Sequence, residues 1–184
     1  MLFKIKFNFI ILYFLFSCSN QKNPTTIKLA HSLDVTHPVH KAMVFMSERV
    51  QEKSKGEMIV DIYPGGQLGN ERELIELLQI GSLAMTKVST APLEGFIPDM
   101  RVFGMPYIFN SDDHRWEVLN GPIGKELLLS GEPYFLRGMC YYDAGSRSFY
   151  TKDRAINKPS DLEGLKIRVQ KSQTSINMVK SLGG

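Results

Sequence analysis

The chain has 184 residues, 43% of them apolar, with 22 Lys or Arg against 19 Asp or Glu, so it is long enough for one sizeable core. Two of the cations, Lys4 and Lys6, stand among the first six residues, and the remainder is close to neutral. No run of Lys and Arg with interleaved aromatics survives there, which argues against nucleic acid as a partner, and two cysteines are too few for a disulfide framework.

The two cations precede a short apolar stretch from Phe7 to Phe16, which is the layout of a signal peptide over residues 1–17. A spanning helix would need about 20 apolar residues, whereas this run stops at Leu15-Phe16-Ser17-Cys18. That stretch resembles the lipobox of bacterial lipoproteins, although Phe16 is bulky for its place. The reading makes Cys18 the acylated first residue of the mature chain, residues 18–26 a polar tether, and a lipid anchor the attachment to a membrane at the cell envelope. A plain signal peptide or a partly buried N-terminal helix is the competing reading.

A first short strand carries Ile27 and Leu29 and turns polar through His31, Ser32 and Asp34. Pro38 suits a first helical position, and Val39, Ala42, Met43, Met46 and Val50 share one helical face until Gly56. Residues 58–63 alternate as a strand and stop at Pro64-Gly65-Gly66. Asn70 with Glu73 three residues later predicts a capping box for a helix closed by Gly81. Residues 84–90 read as a third strand. This β-α-β-α-β order points to an α/β fold with a largely parallel sheet.

A loop punctuated by Pro92, Pro98 and Pro106 follows, and Ser111 and Pro122 each look like the start of a short helix. Residues 135–142 and 146–150 are rich in strand formers, with Cys140 expected as a small core residue in an apolar strand. Ser160 with Glu163 predicts the cap of one helical turn. Residues 165–169 then read as a strand, and residues 172–182 as a helix with Gly183 just past its end.

Three segments, in order and well spaced, carry a resemblance: Tyr63-Pro64-Gly65-Gly66-Gln67-Leu68-Gly69-Asn70-Glu71, then Gly104-Met105-Pro106-Tyr107-Ile108-Phe109, then Asp161-Leu162-Glu163-Gly164-Leu165-Lys166-Ile167-Arg168. Together they resemble the solute-binding proteins of TRAP transporters, of the C4-dicarboxylate-binding (DctP) type. The resemblance implies a two-lobed α/β receptor of the type II periplasmic-binding-protein kind, not an enzyme and without a cofactor. Such a receptor closes on a small organic acid and delivers it to a membrane permease. Residues 27–143 would form the first lobe, and residues 144–184 the start of the second.

The same resemblance makes Arg168 the principal ligand of the substrate carboxylate and Arg147 a second arginine near the cleft. A guanidinium presents a planar two-pronged donor that matches a carboxylate and stays charged. Alternation along residues 165–169 puts Lys166 and Arg168 on one face and the aliphatic side chains on the other. His31 and Ser32, and Ser89 and Thr90, fall where family members place side chains that line the ligand. Family members often carry Pro soon after the position of Arg168, where this chain has Val169-Gln170-Lys171. They also continue well past the position of Gly184, so the chain reads as a fragment.

Competing chemistries have less in their favour. His37-Pro38-Val39-His40 with His31 has a spacing of three across a proline, a poor match to a zinc site on a helix, so no metal is expected. No Gly-x-Ser-x-Gly elbow is present, and Glu73 and Glu76 lie on a capped helix where solvated charge is the rule. The alternative to a transport receptor is a receptor-like lipoprotein that no longer transports, or the inactive remnant of a split gene.

Overall fold

A computed structural model of the chain describes residues 23–143 and 145–184. The expected signal segment, residues 1–17, and Cys18 lie outside the described residues. Three strands, β1 (Thr25–His31), β2 (Met58–Tyr63) and β3 (Met85–Lys87), form a parallel sheet in the order β2-β1-β3. Parallel neighbours need a crossover, supplied by helix α1 (Pro38–Lys53) between β1 and β2 and helix α2 (Glu71–Gln79) between β2 and β3. The α/β class expected from the hydrophobic pattern is the class observed.

The central strand is buried from both sides, as a parallel sheet requires. Leu29 and Val60 pack against Val39 and Met43 of α1, while Ala30 packs with Leu74 of α2 and Leu83. Both helices begin as their sequences predict. Pro38 opens α1 after His37, whose Nδ1 accepts the Val39 N–H at 3.1 Å. At α2, Asn70 Oδ1 accepts from the amides of Arg72 and Glu73, and Glu73 Oε2 accepts the Asn70 N–H at 2.7 Å.

The loop after β3 is more structured than its prolines suggest. The strand ends at Lys87, three residues earlier than expected, and Thr90 already belongs to a short helix, α3 (Thr90–Leu93), followed by a 3-10 helix at Pro98–Gly104. Ile97, Met100 and Leu136 join Ile75 of α2 in a second core. Ser111 caps α4 (Asp112–Asn120) by accepting the His114 N–H, and Pro122 opens α5 (Pro122–Leu129).

Three expected strands are not found among the described residues. Residues 136–143, 145–150 and 165–170 carry no regular secondary structure and no ladder partner. Alternation specifies which face of a strand is apolar but not which neighbour will bond its backbone. The amides of Leu136 and Gly138 instead donate to the carbonyls of Gly131 and Leu128, and the Tyr141 hydroxyl donates to the Gly124 carbonyl at 2.7 Å. Cys140 is consequently exposed rather than a core residue.

The cap expected from Ser160 and Glu163 is also made differently. A 3-10 turn at Pro159–Leu162 is held by Asp161, whose Oδ2 accepts the N–H groups of Asn157 and Lys158. The shorter side chain sits on the residue that reaches back three positions, and Glu163 lies beyond the turn. The last helix, α6 (Gln173–Ser181), is capped by Ser172 and ends at Leu182, with Gly183 at φ +92° beyond it.

Candidate functional site

All three strands run the same way, so His31, Tyr63 and Lys87 end at one edge of the sheet, where open α/β folds place their ligands. The turn after β2 is stitched to the loop after β1. Gly65 and Gly66, at φ +63° and +74°, donate to the carbonyls of Leu33 and His31 at 2.9 and 3.0 Å. Glycine adopts that left-handed backbone without the clash a Cβ brings.

His31 is fully buried. Its Nδ1 accepts the Leu33 N–H at 3.1 Å, and its Nε2 lies 3.0 Å from His40 Nδ1. An amide can only donate, so Nδ1 holds a lone pair and Nε2 carries the proton it gives to His40. Burial, and after it the nearby His40, Lys87 and His37, lower the His31 pKa below the usual imidazole value. His31 is therefore a neutral side chain with both nitrogens engaged, which orders the loop that carries exposed Ser32.

Ser89 and Thr90 stand at the same edge, half-buried. The Ser89 amide and hydroxyl both donate to Glu71 Oε1, at 2.9 and 3.0 Å, and Lys87 Nζ lies 3.6 Å from the same oxygen. Glu71 thus binds the end of β3 to the start of α2. This residue closes the Gly-Gly-Gln-Leu-Gly-Asn-Glu motif, and nothing local in the sequence marks its partners at the end of β3.

Arg147 and Arg168 are exposed on extended segments, and among the described residues neither guanidinium forms an ion pair or a hydrogen bond. Burial along residues 165–169 alternates as expected, with Lys166 and Arg168 out and the aliphatic residues partly covered. The two halves of the chain touch where Glu94, at the end of α3, accepts the Thr174 N–H of α6 at 3.3 Å.

Comparison with known proteins agrees with this architecture. The family model described as bacterial extracellular solute-binding protein, family 7 (DctP), matches residues 29–184. The chain is 38% identical over 160 residues to the uncharacterized protein YiiZ of Salmonella typhimurium, covering 86% of this chain and 49% of that protein. A TRAP periplasmic solute-binding protein from Bradyrhizobium, solved in complex with galacturonate, superposes with a TM-score of 0.81 at 38% identity, over 86% of this chain and 53% of that one. The sugar acid binding protein DctPAm from Advenella mimigardefordensis, in complex with galactonate, gives 0.82 at 35% identity, over 88% and 52%. The chain spans about half the length of these proteins. A match that runs from the first strand to the last helix establishes that the chain belongs to family 7 of the bacterial extracellular solute-binding proteins, the DctP family.

Proposed function

We propose that this chain is the solute-recognising portion of an extracytoplasmic receptor for a sugar acid, which it captures and hands to a TRAP membrane permease. The observation that carries the reading is the division of chemistry. Small hydroxyls at Ser32, Ser89 and Thr90 gather at the edge of the sheet, while the cations Arg147 and Arg168 stand exposed and without acidic partners among the described residues. One carboxylate would meet Arg168, assisted by Arg147, and the hydroxyls of the sugar would meet the hydroxyl-bearing edge. A charged bidentate donor gives orientation as well as energy. The galacturonate and galactonate held by the two relatives are molecules of this kind.

Residues 27–143 are assigned to the first lobe and residues 144–184 to the opening of the second. Residues 1–17 are assigned to an export signal, Cys18 to a lipid anchor and residues 18–26 to the tether. The family binds solutes rather than transforming them, and the groups at the sheet edge are suited to holding a ligand. Calorimetry on the protein produced from its complete gene tests the reading with D-galacturonate, D-glucuronate and succinate. Sugar acids are expected to bind more tightly than succinate, and the reverse order would overturn the assignment. A hydrogen bond to a charged group is worth about 1.5–3 kcal/mol, so Arg168→Ala is expected to weaken binding by about tenfold or more. Unchanged affinity would remove Arg168 from the role.

A further inference from the structure

Glu94 and Ser172 are two of the three buried polar or charged side chains among the described residues, and they meet where α3 reaches α6. Glu94 is 5% exposed. Its Oε1 accepts the Thr174 N–H at 3.3 Å, and its Oε2 is buried without a hydrogen-bond partner among the described residues. Ser172, the cap of α6, accepts the Ser175 N–H at 3.0 Å through its hydroxyl oxygen. Burial would raise the proton affinity of Glu94. The Ser172 and Thr174 hydroxyls and the Thr174 and Gln173 amides outweigh it and hold the pKa below the usual carboxylate value. The side chain is thus an anion at neutral pH, set against the positive end of a nine-residue helix.

Gly104 makes the approach possible. A Cβ there would lie 2.9 Å from Thr174 Cγ2 and 3.7 Å from Glu94 Oε2. This gives the Gly104-Met105-Pro106-Tyr107 motif a physical reason to begin with glycine.

The position of the contact matters as much as its chemistry. Glu94 ends the short helix that Ser89 and Thr90 begin, and Ser172 closes the segment that carries Arg168. That segment has no ladder among the described residues to set its place. It is tied on one side by the turn at Leu162, where the Gly164 amide donates to Gly183, and on the other by Glu94.

We infer that Glu94 is a positioning residue: by anchoring the start of α6 it sets the distance between Arg168 and the hydroxyls of Ser89 and Thr90, so that one ligand spans both. The inference rests on the assignment of Arg168 to the ligand carboxylate. It makes Glu94 a determinant of ligand length, since a strut of fixed reach selects for a fixed spacing between carboxylate and hydroxyls.

The test uses the protein from its complete gene and two variants that break the contact from opposite sides. Glu94→Gln keeps the shape and removes the charge, and Gly104→Ala keeps the charge and crowds Thr174. Both are expected to speed amide hydrogen exchange at Thr174 by about tenfold, with exchange in α2 unchanged, and to weaken D-galacturonate binding. On a double-mutant cycle the two losses should be non-additive, because they act on one contact. Unchanged Thr174 exchange in both variants would overturn the anchor, and faster exchange with unchanged affinity would overturn the positioning role. Arg168→Ala is measured beside them. Failure of the carboxylate assignment shows as full affinity in that variant alone, with Thr174 exchange responding as expected, so the two failures are distinguishable.

Discussion

At the scale of single residues, His31 carries the clearest linkage to pH. Its pKa in the folded chain is lowered from 6.5, first by burial and then by the neighbouring His40, Lys87 and His37. A group that binds its proton more weakly when folded favours the unfolded chain once protonated. The stability it contributes is therefore complete above pH 6.5 and is lost as pH falls through the lower, folded-state value. Protonation would also put a hydrogen on Nδ1, where the Leu33 amide already donates. Urea midpoints measured from pH 7.5 down to pH 5, about the span in which imidazole titrates, are expected to fall, and His31→Gln should flatten that slope. A slope unchanged by the substitution would assign the acid sensitivity to other groups. His31 was singled out in the sequence as a residue that lines the ligand, whereas its partners make it a structural member of the site. The sequence offers His31 and His40 together only as a poor metal-site spacing, and their hydrogen bond appears once a strand end and a helix start are brought together.

At the scale of elements, the strongest local signals are also the most exact. The capping box at Asn70 and Glu73 forms with both reciprocal bonds, and Asn70→Ala is expected to cost about 1 kcal/mol of unfolding free energy, measurable as a lower urea midpoint. Gly69 should be less tolerant still. It sits at φ +115°, and a Cβ there would collide with Glu73 Oε2, so Gly69→Ala strains the backbone and dislodges the cap together. A Gly69→Ala protein as stable as the parent would contradict this account. Helices were legible because their signals are local: a cap, a periodic face and a closing glycine lie within one short stretch. The strands expected at residues 135–142, 146–150 and 165–169 do not form among the described residues, because a ladder depends on a partner that composition does not name. The same limit hid Glu94, which reads as an ordinary solvated acid until Thr174, 80 residues away in sequence, is placed against it.

At the scale of the molecule, the sheet, its two flanking helices and the apolar layer built on Ile75 and Ile97 form the body on which the site rests. The proposed anchor lies ahead of it. Cys18→Ser is expected to move the protein from the membrane fraction to the soluble envelope fraction, and continued sedimentation with membranes would count against acylation. The stitched turn after β2 has a consequence for what such a receptor refuses. Glycine-rich turns that enter helices in parallel sheets are ready cradles for phosphate, because free amides converge there with the positive helix end. Here the Gly65 and Gly66 amides are spent on the carbonyls of Leu33 and His31. The Arg72 and Glu73 amides of α2 are spent on Asn70, and Glu73 sets a negative charge at the same end. A phosphate arriving there would find those four donors taken and an acid beside them. On the proposed reading, this edge of the sheet would offer a sugar phosphate few free amides and would leave anion recognition to guanidinium groups.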